Sequence, residues 1–145
     1  MGIAEVSHMK NISLNKEMSL EEYQNKVKEQ LLRHRSILDI ITKNQEAAAR
    51  VNRAVAKAVT SCGCIEIHAL KQEMPEDVSL EELADYMSSH LYGSLCPHCA
   101  SIIKDELGNQ LFYIAGLANV LDINLNDVME QEINRMSTLG KYNLR

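Results

Sequence analysis

The chain has no tryptophan, a single phenylalanine and no apolar run near the roughly 20 residues that cross a bilayer. Each scarcity excludes something. With so few aromatic rings there is little for unpaired bases to stack on, and a formal net charge of -5 opposes a broad nucleic-acid-binding surface. Nucleic acid and membrane are therefore not expected as partners. No signal peptide is recognisable, so the expected compartment is the cytoplasm. Strand signals are few and no internal repeat is visible. What is present is ordinary for one soluble domain with a moderate core: 145 residues, 46% hydrophobic and 24% charged.

Cysteine is scarce as well, yet its four copies are not scattered. They form two tight pairs, Cys62-Gly63-Cys64 and Cys96-Pro97-His98-Cys99, separated by residues 65–95. Zinc takes four soft ligands at about 2.3 Å in a tetrahedron, which sets neighbouring sulfurs roughly 3.7 Å apart, and close pairs on turns meet that need. Gly63 allows a tight first turn. Pro97 fixes the backbone at a helix start, where backbone amides stabilise thiolates. Cys62, Cys64, Cys96 and Cys99 are thus read as one structural zinc site, which a reducing cytoplasm favours over disulfides. Two other readings stand beside it. Cys-Pro-His-Cys at a helix start also resembles the active-site sequence of DsbA-type thiol oxidants, although the stretch before Cys96 reads as helix rather than as a buried strand; and the thiols could carry no ligand. His68, His90 and His98 are each able to replace a thiolate, but a surface or core role is the better account of all three.

Helix signals dominate the rest. Ser19-Leu20-Glu21-Glu22 is a capping box, followed at helical spacing by Leu20, Tyr23, Val27, Leu31, Leu38 and Ile41, which predicts a first helix to about Ile41. Thr42-Lys43-Asn44-Gln45 offers a second box, leading into a small-residue apolar face of Ala47, Ala48, Val51, Ala54, Val55, Ala58 and Val59 on a second helix or a bent continuation of the first. Ser79-Leu80-Glu81-Glu82 predicts a third helix ending near Leu91, with Gly93 as its stop. A fourth begins at Pro97 and carries Ile103, Leu107, Leu111, Ile114, Ala118 and Leu121; a fifth spans about Leu125 to Leu139 between Asn124 and Gly140. Cys64 to His68 is the one candidate strand, and Met74-Pro75-Glu76-Asp77 reads as a turn. The expected fold is all-α, about five helices over residues 19–145, with a zinc-stapled insertion at about 60–99. Residues 1–18 are expected to be a disordered tail, in which Ser7-His8-Met9 reads either as a cloning junction or as natural sequence.

Asp105-Glu106-Leu107-Gly108-Asn109, continuing through Gln110 to Leu121, resembles the second acidic helix of the MazG-like all-α nucleoside triphosphate pyrophosphohydrolases. Asp122 to Met129 resembles that family's short turn into its last helix. The resemblance covers the last third of the chain, and the earlier helices by layout only. It implies that a Glu-x-x-Asp pair on one helical face, with a Glu-Glu-x-x-Glu motif on the second helix, holds magnesium or manganese against a triphosphate, and that metal-bound water releases pyrophosphate. Glu106 matches the first motif, with Asn109 in place of its Asp. Gln45-Glu46-Ala47-Ala48-Ala49 takes the place of the second and keeps Glu46, so the implied metal ligands are Glu46 and Glu106, assisted by Asn109. Neutral side chains at Gln45 and Asn109 and no ligand at Ala49 lower the expected affinity for magnesium. The family's basic terminal motif has only Arg135, Lys141 and Arg145 near its place.

Without the resemblance, these residues have plainer readings. Asp105 and Glu106 early in a helix complement its dipole, and Tyr113 is one turn from Asn109. Arg50, Arg53 and Lys57 continue from Glu46 as a mostly cationic stripe, which either meets phosphate or is a solvated face. Two functions stay open: a nucleotide pyrophosphohydrolase with altered metal ligation, and a noncatalytic zinc-stabilised module that binds a nucleotide or a protein. The Ala-rich helix, together with the family's habit of building its site from packed helix pairs, leads to the expectation of a homodimer or higher homo-oligomer.

Overall fold

A computed structural model describes residues 18–140. The expected tail before Met18, and Lys141 and Arg145, lie outside the described residues. In chain order the elements are α1 (Leu20–Gln30), α2 (Ile37–Lys57) running into a π-helical turn (Ala58–Cys62), β1 (Ile65–Ile67), α3 (Leu83–Tyr86), β2 (Leu91–Gly93), α4 (Pro97–Val120) and α5 (Leu125–Leu139). The described chain is mostly helical, with one two-stranded antiparallel sheet in which Ile65 faces Gly93 and Ile67 faces Leu91. No described helix is long and apolar enough to cross a membrane.

Helices α1, α4 and α5 begin where a capping side chain accepts from a free amide. Ser19 Oγ accepts from the Glu22 amide at 3.1 Å while Glu22 accepts from the Ser19 amide at 3.0 Å, so the first box forms as expected. Asn124 Oδ1 accepts from the Asn126 amide at 2.7 Å to start α5, and Gly140 ends it.

Two expectations are corrected. The first helix stops at Gln30 instead of reaching Ile41, because Leu31 leaves helical geometry and His34 adopts a left-handed backbone with φ 52°. Ser36, in extended conformation, precedes the new helix. Thr42 is consequently interior to α2, and its hydroxyl donates to the Leu38 carbonyl at 2.8 Å instead of capping anything. The break lets α1 fold back onto α4, where Leu31 packs over Gly116 so closely that a Cβ there would lie 3.1 Å from Leu31 Cδ2.

The third helix is likewise reduced, to Leu83–Tyr86. The Ser79–Glu82 box does form, with the Glu82 amide donating to Ser79 Oγ at 3.3 Å, but it closes a turn ahead of the helix and does not cap it. None of its residues is buried, and a short helix without packing has little to sustain it. The residues expected at its end pair as β2 instead, and Gly93 terminates a strand, not a helix. The long connection is pinned at its neck: the His68 amide donates to the His90 carbonyl at 3.0 Å, and the Gln72 side chain exchanges two hydrogen bonds with the Ser88 backbone.

The core lies along the seam of α2 and α4, where Ile40, Ala47, Ala115 and Ala118 are buried and small side chains let the helices approach. At one end the seam closes in a cluster of Ala58, Ile65, Cys99 and Ile103, against which Ala54, Val59, Cys64 and Cys96 pack. The cysteine pairs therefore sit at the end of the principal helix pair.

Candidate metal centre and adjoining clefts

Three local structures aim the thiols at one point. The π-helical turn ends at Cys62 and is closed by the Gly63 amide donating to the Ala58 carbonyl at 2.9 Å, with Gly63 left-handed at φ 73°. Cys64 then enters β1. On the other side Cys96 is the N-cap of α4 and Pro97 its first residue, so Cys99 projects from the first turn beside Cys96. The four sulfurs all lie within 4.8 Å of one another, and Cys62 Sγ is 3.8 Å from Cys96 Sγ, close to the spacing of a tetrahedral thiolate set. This group could hold a metal ion such as zinc.

Its electrostatics follow from the same placement. The Cys99 amide donates to Cys96 Sγ at 3.4 Å and, chiefly through that bond, draws the Cys96 thiol down to about 7. Burial, aided by the neighbouring thiols, pushes Cys99 up to about 12. Cys96 thus ionises more readily than Cys99. All four cysteines are free. A strand does precede Cys96, contrary to the helical expectation, but it is an exposed strand of a small hairpin, and Cys62 and Cys64 complete the cluster as a dithiol oxidant does not require. His68 is turned to Glu66 at 2.9 Å and edges against Tyr92.

Further along the same seam a cleft of about 320 Å³ opens between α2 and α4, lined by Lys43, Glu46, Arg50, Asp105, Glu106, Asn109 and Tyr113. The implied magnesium ligands Glu46, Glu106 and Asn109 thus share one cleft. Two cations share it with them. Arg50 grips Glu106 with both Nε and a terminal nitrogen, each at 2.8 Å, and Lys43 reaches Glu46 at 2.8 Å. These bonds hold both carboxyls below their usual range and raise Lys43 and Arg50. Lys43 is the lining residue that motif reading misses, although its place three residues before Glu46 is a signal for an ion pair.

The oxygen donors suit magnesium in kind, but the arrangement does not suit it. Each matched carboxylate already has a cation, Ala49 adds no ligand, and among the described residues only the cysteines bring three or more metal-binding groups together. Arg53 and Lys57 fall elsewhere. With Arg50, Ala54, Ile102 and Glu106 they line a second cleft of about 350 Å³, so the Arg50–Glu106 pair belongs to both. Comparison with models of known families, with curated proteins and with solved structures finds no match to this chain.

Proposed function

We propose that this chain is a zinc-stapled helical module related to the MazG-like pyrophosphohydrolases, which binds a nucleoside triphosphate between α2 and α4 and lacks their divalent-metal hydrolysis. The observation that carries this reading is the bidentate Arg50–Glu106 pair, at 2.8 Å for both bonds. Glu106 is neutralised by this guanidinium, Glu46 is held by Lys43 and Asn109 adds no charge, so even with Arg50 displaced a single carboxylate is left to hold magnesium and polarise a water. Four clustered thiols would complete a tetrahedral set around one zinc and leave no position for substrate, which supports a structural metal that adds folding stability. The exposed apolar face of α5 supports a homodimer.

The test is pyrophosphate release from each nucleoside triphosphate with magnesium or manganese, measured beside triphosphate binding by calorimetry. Binding without turnover is expected. Turnover abolished by Glu106→Gln would favour the second reading, an active pyrophosphohydrolase, which is supported by the shared cleft of Glu46, Glu106 and Asn109. Neither binding nor turnover would leave a protein-interaction module.

A further inference from the structure

The two clefts differ in charge although they share a wall. The first presents Glu46, Asp105 and Glu106 against Lys43 and Arg50; the second presents Arg50, Arg53 and Lys57 against Glu106 alone. A chain of phosphoryl groups is repelled by the first and drawn to the second. Arg53 and Lys57 are exposed and, among the described residues, have no acidic partner, so no existing ion pair has to break before they receive an anion. Their spacing from Arg50 sets all three cations on one face of α2, where a linear polyanion can run along the helix. Arg50 is the movable member of its pair: its side chain is 55% exposed, against 17% for Glu106, so the guanidinium can leave a carboxylate that stays in place. Ile102, also exposed, adds an apolar patch to the same cleft.

We propose that Arg53 and Lys57 seat the phosphoryl groups of a polyphosphate ligand in the second cleft without a bridging divalent cation, and that Arg50 turns from Glu106 to join them. This rests on the nucleotide-binding reading and adds to it the place of the phosphates, beyond the matched carboxylates, and the part taken by Glu106. Glu106 is a competitor for Arg50, not a ligand for metal. Guanidinium groups bind phosphate through paired, charge-assisted hydrogen bonds, so the exchange keeps Arg50 satisfied throughout. The ligand chemistry is shared by inorganic polyphosphates and by nucleotides, which bring the same phosphoryl chain with a base attached.

Calorimetry on zinc-loaded protein in magnesium-free buffer, with ATP and with inorganic pyrophosphate, tests the seat. Both ligands are expected to bind. Equal affinities indicate that the phosphoryl chain suffices, and much tighter ATP that the nucleoside is also held; either supports the seat. Arg53→Ala with Lys57→Ala is expected to weaken binding by about a hundredfold, roughly tenfold for each cation removed from the phosphoryl chain. Glu106→Gln is expected to tighten it several-fold by freeing Arg50, a gain that misfolding cannot produce. Excess magnesium is expected to weaken it by neutralising the ligand. ATP binding unchanged in the Arg53, Lys57 double variant, or requiring magnesium, overturns the seat and leaves the nucleotide-binding reading intact. No binding of ATP by the wild-type protein overturns both.

Discussion

The side-chain amide of Gln24 donates to the Ile123 carbonyl at 2.7 Å, and its oxygen accepts from the Leu125 amide at 2.9 Å, so one α1 residue spans the turn between α4 and α5. Gln24 is 8% exposed, the one buried polar residue of the described core, and Asn119 ties back to its carbonyl at 3.0 Å. This clasp does for the turn what water does elsewhere: it satisfies backbone groups that the chain reversal leaves free. Gln24→Ala strands both, and a stability loss of about 2 kcal/mol is expected. Urea denaturation measures it; an unchanged midpoint would show that water replaces the clasp at no cost.

The cysteine cluster makes a compositional prediction. Purified protein is expected to carry about one zinc per chain, as a single four-thiolate site requires. Cys96→Ser removes one ligand while its hydroxyl can still accept from the Cys99 amide and cap α4, so a fall in both zinc content and Tm reports the metal rather than the cap. Chelation should destabilise the wild-type protein and leave the Tm of Cys96→Ser nearly unmoved. A wild-type protein free of metal, with unchanged Tm after chelation, speaks against the site.

Gly93 reaches the same centre from the hairpin. A Cβ at this position would lie 2.7 Å from the Cys64 carbonyl oxygen, and the backbone is left-handed at φ 82°. Gly93→Ala therefore strains its own residue and displaces Cys64. A cost of about 1–3 kcal/mol is expected, together with weaker zinc retention against a competing chelator. Wild-type zinc retention in this variant would mean that the hairpin and the thiols are uncoupled.

Some of this was legible in sequence and some was not, for local reasons. Pro97, Asn124 and Gly140 fix helix ends by chemistry confined to a few residues, so α4 and α5 could be bounded from the chain alone. The paired cysteines were equally readable. The break at residues 31–36 was hidden because Leu31, Leu38 and Ile41 continue the helical spacing across it, and its advantage, α1 lying on α4, is tertiary. The strand β2 was hidden too, since Leu91–Gly93 pairs with a segment far back in the chain while a valid capping box upstream suggested helix. The Arg50–Glu106 pair joins positions 56 residues apart, and only packing of α2 on α4 brings them together. Periodicity reports which face is apolar. It does not report what meets the polar one.

The Arg50–Glu106 pair carries a pH dependence. Its hydrogen bonds and charge hold the Glu106 carboxyl below the ordinary range in the folded chain. A depressed carboxyl stabilises the fold fully above its unfolded pKa and loses that contribution as pH falls through the folded value. Wild-type protein should thus lose Tm between neutral pH and the acid side of the carboxylate range more steeply than Glu106→Gln, in which no charge titrates. Parallel profiles would indicate that solvent screens the pair into insignificance.

The proposed dimer rests on α5, a helix of 15 residues that buries none of them. Val128, Met129, Ile133 and Met136 recur at helical spacing, and each stays about half exposed. An amphipathic helix that touches α1 yet leaves its apolar face about half exposed is a surface prepared for a partner, and a second copy of the chain is always available at its own concentration. Light scattering on untagged protein should give about twice the chain mass of 16.3 kDa. Met129→Glu with Ile133→Glu places charges where the second copy would pack, and is expected to yield monomer with the helix content kept, because neither side chain is among the buried core residues. A wild-type monomer throughout the micromolar range would remove the dimer. Unfolding of the double variant would mean that α5 is held within its own chain more firmly than its exposed face implies.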